Sequence, residues 1–134
     1  MHKKSQENLD SAELLINAGK YTSSIHCSYY AVFQYMKYAL SRSPIIPMSY
    51  NKQNQMTTHG KTHVRILCAF KKRVQRIDGN SQDSTSVGNR IEILKDNRIN
   101  ADYRENFIFD ETKSKDCLRE AKSIIELIKN KFGI

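Results

Sequence analysis

Apolar residues recur along this chain at spacings of three, four and seven and nowhere alternate over the length of a strand, so the period is helical throughout. The pattern predicts one all-α domain over residues 1–134, an up-and-down bundle of four to five helices. The first helix is expected from about Ser5 to Ala18, with Leu9, Ala12 and Ile16 on one stripe and Gly19 where a left-handed residue ends a helix. The second, about Thr22 to Ser41, carries Ile25, Tyr29, Val32, Met36 and Ala39 in a row that Phe33 and Leu40 widen, which marks it as the central element. Arg42 to Thr58 holds both prolines, Pro44 and Pro47, among polar residues without a period, and reads as a long loop.

The third helix, about Thr58 to Ile77, places His63, Leu67, Phe70, Val74 and Ile77 on one side and Lys61, Arg65, Lys72 and Arg76 nearly opposite. That second row is a basic face turned outward. A turn is expected over Asp78 to Asp83, and a fourth helix from about Ser84 to Tyr103 with Val87, Ile91, Leu94, Arg98 and Ala101 inward. One member of that inward row is an arginine. The last helix starts after Asp110, a good N-cap followed by Glu111 in the first turn, and faces the core with Ser114, Leu118, Ala121, Ile125, Ile128 and Phe132.

The composition narrows the class. With 39% hydrophobic residues in 134 the chain can bury a core without staples, and 27% charged residues, five Gly and two Pro exclude collagen-like, low-complexity and wholly disordered chains. No apolar run approaches the roughly 18 residues of a membrane span, and neither end reads as a signal peptide or lipidation motif. The expected location is the cytoplasm, with no membrane partner. Cys27, Cys68 and Cys117 are odd in number, far apart and each in an apolar stretch, which predicts buried reduced thiols.

Charge changes the picture more. The chain has 22 bases and 14 acids, a formal +8, yet no acid lies between Glu13 and Asp78. That span, Leu14 to Ile77, holds Lys20, Lys37, Arg42, Lys52, Lys61, Arg65, Lys71, Lys72, Arg73 and Arg76, so it carries +10 and each flank −1. Such asymmetry points to a polyanion or an acidic partner; the alternative is a solvated face neutralised by the acidic carboxy-terminal third or by a partner subunit.

Arg98 is the first candidate residue, because a guanidinium on a core-facing stripe must find a carboxylate, carbonyls or an anionic ligand. Asp102, one turn later, supplies a carboxylate and Tyr103 beside it a phenol. Two readings stay open: an intrahelical Arg98–Asp102 pair, or an arginine at a groove holding a phosphate bidentately. His59 and His63 are spaced i, i+4, but no Glu follows His59 and no third ligand stands at a telling distance, so no metal and no cofactor is expected. His26 and Cys27 are adjacent and point about 100° apart on a helix, which does not make a nucleophile pair. Tyr29, Tyr30, Phe33, Tyr35 and Tyr38 belt one helix; aromatics among bases can stack on unpaired nucleotides, but their helical spacing favours core packing for most. Hydrolase elbows, phosphate loops and dinucleotide fingerprints are absent.

The stretch Ala18 to Leu40, with Tyr29-Tyr30-Ala31-Val32-Phe33 inside it, then Arg98-Ile-Asn-Ala-Asp-Tyr103 and the final amphipathic helix through Ala121, resembles the HEPN family, named for higher eukaryotes and prokaryotes nucleotide-binding. The resemblance covers roughly Ser5 to Phe132. It implies a helical bundle, usually a homodimer, with the arginine near the dimer cleft. Many such proteins are metal-independent ribonucleases, often toxins paired with a small nucleotidyltransferase antitoxin, whose motif is Arg, a polar residue and, a few positions on, His. Here Arg98 matches, but Ile99 follows and no histidine occurs after His63. Tyr103 stands where a histidine could be, and a phenol with pKa near 10 is a poor base at neutral pH. The expectation is a domain that binds RNA or a nucleotide through the basic face and a cleft at Arg98, with little or no catalysis. The alternatives are an interaction subunit whose basic face receives an acidic partner, such as a cognate nucleotidyltransferase, and a ribonuclease using Arg98 with Tyr103 or with His26, His59 or His63.

Overall fold

A computed structural model describes the backbone of residues 2–79 and 82–134, and the side chains of all of these except 82–86. Six helices and no strand occur among the described residues: α1 (Lys3–Asn17), α2 (Tyr21–Arg42), α3 (Tyr50–Met56), α4 (Thr62–Ile77), α5 (Gln82–Tyr103) and α6 (Glu111–Phe132). Helix α2 packs against all five others. It is the central element its apolar pattern announced, burying Ile25, Tyr29, Val32, Phe33, Tyr35, Met36, Ala39 and Leu40.

Each boundary has a local cause. Helix α1 closes at Gly19, φ +74°, with the Lys20 N–H reaching the Leu15 carbonyl and the Gly19 N–H that of Ile16, so the last carbonyls are paired. Helix α2 stops at Arg42 because Pro44 forces Ser43 into an extended conformation, ψ 134°. Asp110 caps α6 by accepting from the Lys113 N–H, and Gly133, φ +69°, closes it. Helix α1 lies on α2 through Leu9, Ala12 and Ile16, and the buried Ser5 hydroxyl donates to the Ala31 carbonyl at 2.8 Å.

Three expectations need correction. Arg42 to Thr58 is not all loop: Tyr50–Met56 is helical, which raises the helices to six. This helix is held by polar bonds, with the Ser49 hydroxyl accepting from the Lys52 N–H and the buried Gln53 amide donating to the Lys37 and Met48 carbonyls at 2.9 Å each, so apolar periodicity could not reveal it. Helix α4 begins at Thr62 rather than Thr58, because Gly60 (φ +93°) and Lys61 (φ +57°) are left-handed and interrupt the turn. Only Cys117 of the three thiols is buried; Cys27 is half-buried and Cys68, about 100° around α4 from Leu67, is exposed. In the turn expected over Asp78 to Asp83, Gly79 has φ +64°, Asn80 and Ser81 lie outside the described residues, and α5 starts at Gln82.

Candidate functional site

Three helices bring the notable side chains together. On α2, His26, Tyr29, Tyr30 and Phe33 follow i, i+3, i+4, i+7 spacing and share a face. Helix α5 contributes Arg98 and Asp102 one turn apart, and the first turns of α4 contribute His63.

Arg98 lies on the inward row of α5 as its spacing required, only 7% exposed. Its guanidinium sits 5.1 Å from the Tyr29 ring centroid and 5.7 Å from that of Tyr30, so two aromatic faces supply part of the electrostatic compensation a desolvated cation needs. The expected bond to Asp102 is present but long, Nη1 to Oδ2 at 3.4 Å, and the buried Nε–H has no partner. A guanidinium offers five N–H donors. One long bond leaves most of that capacity unused within a buried site.

Asp102 is engaged elsewhere. Its Oδ2 also meets His26 Nδ1 at 2.9 Å. A carboxylate can only accept here, so Nδ1 carries the proton and Nε2 keeps a free lone pair. The His26 ring stacks on Tyr30 with centroids 4.5 Å apart, while its side chain remains 44% exposed. Burial first, and the Asp102 carboxylate second, push the pKa of the neighbouring Cys27 thiol up, which disfavours its thiolate.

His63 is the opposite kind of histidine. Nδ1 lies 2.8 Å from the Tyr29 hydroxyl and Nε2 3.3 Å from that of Tyr30, and the ring packs on Phe33 at 4.3 Å. A neutral imidazole satisfies both contacts by accepting from one phenol and donating to the other. Burial, reinforced by the positive charge of Arg98, pushes the His63 pKa down to about 4. Burial likewise raises the Tyr29 pKa, so that phenol keeps its proton.

Not every expected residue joins this cluster. Tyr103 is 74% exposed, though next in sequence to Asp102. His59 is exposed in the turn before α4, so His59 and His63 share no helical face. Of the aromatic belt, Tyr29, Phe33 and Tyr35 are core residues, while Tyr30 and Tyr38 are partly buried.

The basic residues expected on the outer side of α4 lie away from this cluster. Lys61, Arg65, Lys72 and Arg76 are all exposed, and the last two lie about 14 and 20 Å along α4 from His63 at 1.5 Å per residue. Beside Lys72 and Arg76 is an open cleft of about 290 Å³ floored by Ile45 and Ile46. Arg73 steadies its edge by donating to the Ile46 carbonyl at 3.1 Å. Of the ten bases in the acid-free span only Lys71 forms an ion pair among the described residues, with Glu92 at 2.8 Å. Among the described residues no acid lies within ion-pair distance of Lys61, Arg65, Lys72 or Arg76.

A family model described as HEPN domain matches residues 1–131, nearly the whole chain and the same helical bundle. The chain belongs to the HEPN family. No curated protein and no solved structure matches it. Within this HEPN domain, the side chains that reasoning from sequence did not join are His26 with Asp102 and His63 with the two tyrosines. The face that His26, Tyr29 and Tyr30 share was readable from their spacing, but their partners on α4 and α5 are a tertiary matter. No described helix is long and apolar enough to cross a membrane.

Proposed function

We propose that this HEPN domain binds single-stranded RNA, holding one phosphodiester at Arg98 and guiding the strand with the basic span from Leu14 to Ile77. The observation that carries the reading is Arg98 itself: a buried guanidinium with an unpartnered Nε–H and one long bond to a shared carboxylate. A phosphate offers the bidentate acceptor geometry that Asp102 does not provide there. The exposed bases supply a sequence-independent attraction for the same polymer. Because the basic row and the Arg98 cluster lie on different sides of α4, a strand touching both must curve around that helix, which favours an unpaired chain over a stiff duplex.

Filter binding with a synthetic single-stranded RNA, in chelator and at several salt concentrations, tests this. Arg98→Ala should lower affinity roughly ten- to a hundredfold, the worth of a charged hydrogen-bonded contact. Lys72→Glu with Arg76→Glu should weaken binding and flatten its salt dependence. Affinity independent of salt, or unchanged by Arg98→Ala, contradicts the reading.

A further inference from the structure

In the loop between α2 and α3, Ile46 has φ +46°. A β-branched residue rarely adopts a left-handed conformation, and one that precedes a proline, here Pro47, is biased further towards extended backbone. The loop is fixed despite that cost. The Ser43 hydroxyl donates to the Ile45 carbonyl at 2.6 Å and accepts from its N–H at 3.1 Å, and the Met48 N–H reaches the Leu40 carbonyl at 2.8 Å. Arg73 donates to the Ile46 carbonyl from Nη2 at 3.1 Å and braces itself on the Ala69 carbonyl, also at 3.1 Å. Backbone strain persists only where the surroundings enforce it, and ligand clamps are one place where it collects. Its result here is an isoleucine held 55% exposed as a wall of the cleft beside α4, outside the core.

We infer that this cleft is a binding site for a small amphipathic carboxylate, an aliphatic or aryl acid. Its apolar body lies on Ile45 and Ile46, and its carboxylate meets Lys72 and Arg76. These two bases stand one turn apart on α4, so their cationic ends can share one head group. Both are exposed, and among the described residues neither meets an acid. Arg73, the third cation of the lining, is committed to backbone carbonyls and acts as a positioning residue for Ile46.

Size and surroundings agree with that ligand. At about 290 Å³ the cleft stands at the lower edge of small-molecule pockets. The isoleucine floor favours an alkyl or aryl body, which gains by leaving water. Two other clefts among the described residues lack the combination: the one between α5 and α6 carries Asp116 and Glu120, and the one between α4 and α5 carries Glu92. Those carboxylates repel another. Because the loop is already pinned, little ordering is left for the ligand to bring about. The site shares Lys72 and Arg76 with the RNA path but does not depend on it.

Amide spectra of the isotopically labelled full chain, titrated with sodium octanoate below its micelle concentration and without RNA, test the inference. The expected result is saturable shifts centred on Ile45, Ile46 and the α4 turn from Lys72 to Arg76. Lys72→Ala with Arg76→Ala should weaken binding about tenfold, the worth of two exposed ion pairs. Ile46→Gly relieves the backbone while deleting the wall; it should weaken binding by about the same factor without lowering the melting temperature. Octyl glucoside, with the same tail and no charge, should bind more weakly than octanoate. Lys122→Ala, an exposed site on α6, should leave the affinity unchanged, which separates a site from the general pull of a chain with formal charge +8. Octanoate that fails to saturate, shifts other regions instead, or binds Ile46→Gly or the double variant as tightly as the wild type overturns the inference. So does a short peptide of one leucine between acidic residues that shifts Ile45, Ile46 and Arg76 where octanoate does not, since the cleft would then belong to a protein partner. The RNA reading is judged separately, by filter binding.

Discussion

Wedged between two phenols and a phenyl ring, His63 is neutral in the folded protein, with a pKa near 4 against 6.5 in the unfolded chain. Between those values the unfolded state binds more protons, so the stability contributed by this site is fully present above pH 6.5 and is lost as pH falls towards 4. The melting temperature should therefore drop between pH 7 and pH 5, and His63→Gln should remove much of that drop while lowering stability at pH 7. An equal pH dependence in the variant contradicts this account of His63. Legibility at the same scale follows from one physical distinction. That Arg98 turns inward and meets Asp102 could be read from spacing along one helix, since i, i+4 neighbours share a face. That Asp102 also holds His26, 76 residues away, could not be, because it depends on how α5 lies against α2.

Five of the six helices announce themselves as apolar stripes, and most stripe residues are buried, with His63 and Ile77 of α4 and Ala101 of α5 only partly so. Helix α3 does not, because seven residues anchored by one buried amide leave no period to read. Gln53 substitutes for the apolar residue that a longer helix would bury: its side chain ties α3 to the Lys37 carbonyl on α2 and to the Met48 carbonyl. Gln53→Ala removes two hydrogen bonds, at about 0.5–1.5 kcal/mol each. Denaturant unfolding should show a loss of about 1–3 kcal/mol, and amide exchange should quicken in Tyr50–Met56 far more than in α6. Unchanged exchange in α3 would contradict the role given to Gln53. Helix α4 starts later than its apolar spacing predicts for a related reason, since Gly60 and Lys61 break the helix by conformation rather than by hydropathy.

Among the described residues the bases of the acid-free span stay largely without acidic partners. Ten bases in an acid-free span could have been neutralised by the acids of α5 and α6, yet among the described residues only Lys71 is. Those acids pair mostly within their own helix or with each other's bases, as in Glu111–Lys115, Asp116–Arg119, Glu126–Lys129 and Arg90–Glu120. Net charge and its placement along the chain thus carried over directly, whereas the separation of the basic row from the Arg98 cluster by the body of α4 needed three dimensions. The claim that joins the two regions is that RNA reaches both, with a phosphate at Arg98. The most direct measurement follows the Arg98 Nε–H resonance of isotopically labelled protein while a short single-stranded RNA is added. That proton has no partner in the free protein. The account predicts a saturating shift of this resonance together with the His26 ring signals as phosphate arrives. Shifts confined to the exposed Arg65, Lys72 and Arg76, with Arg98 unmoved at saturation, would contradict it.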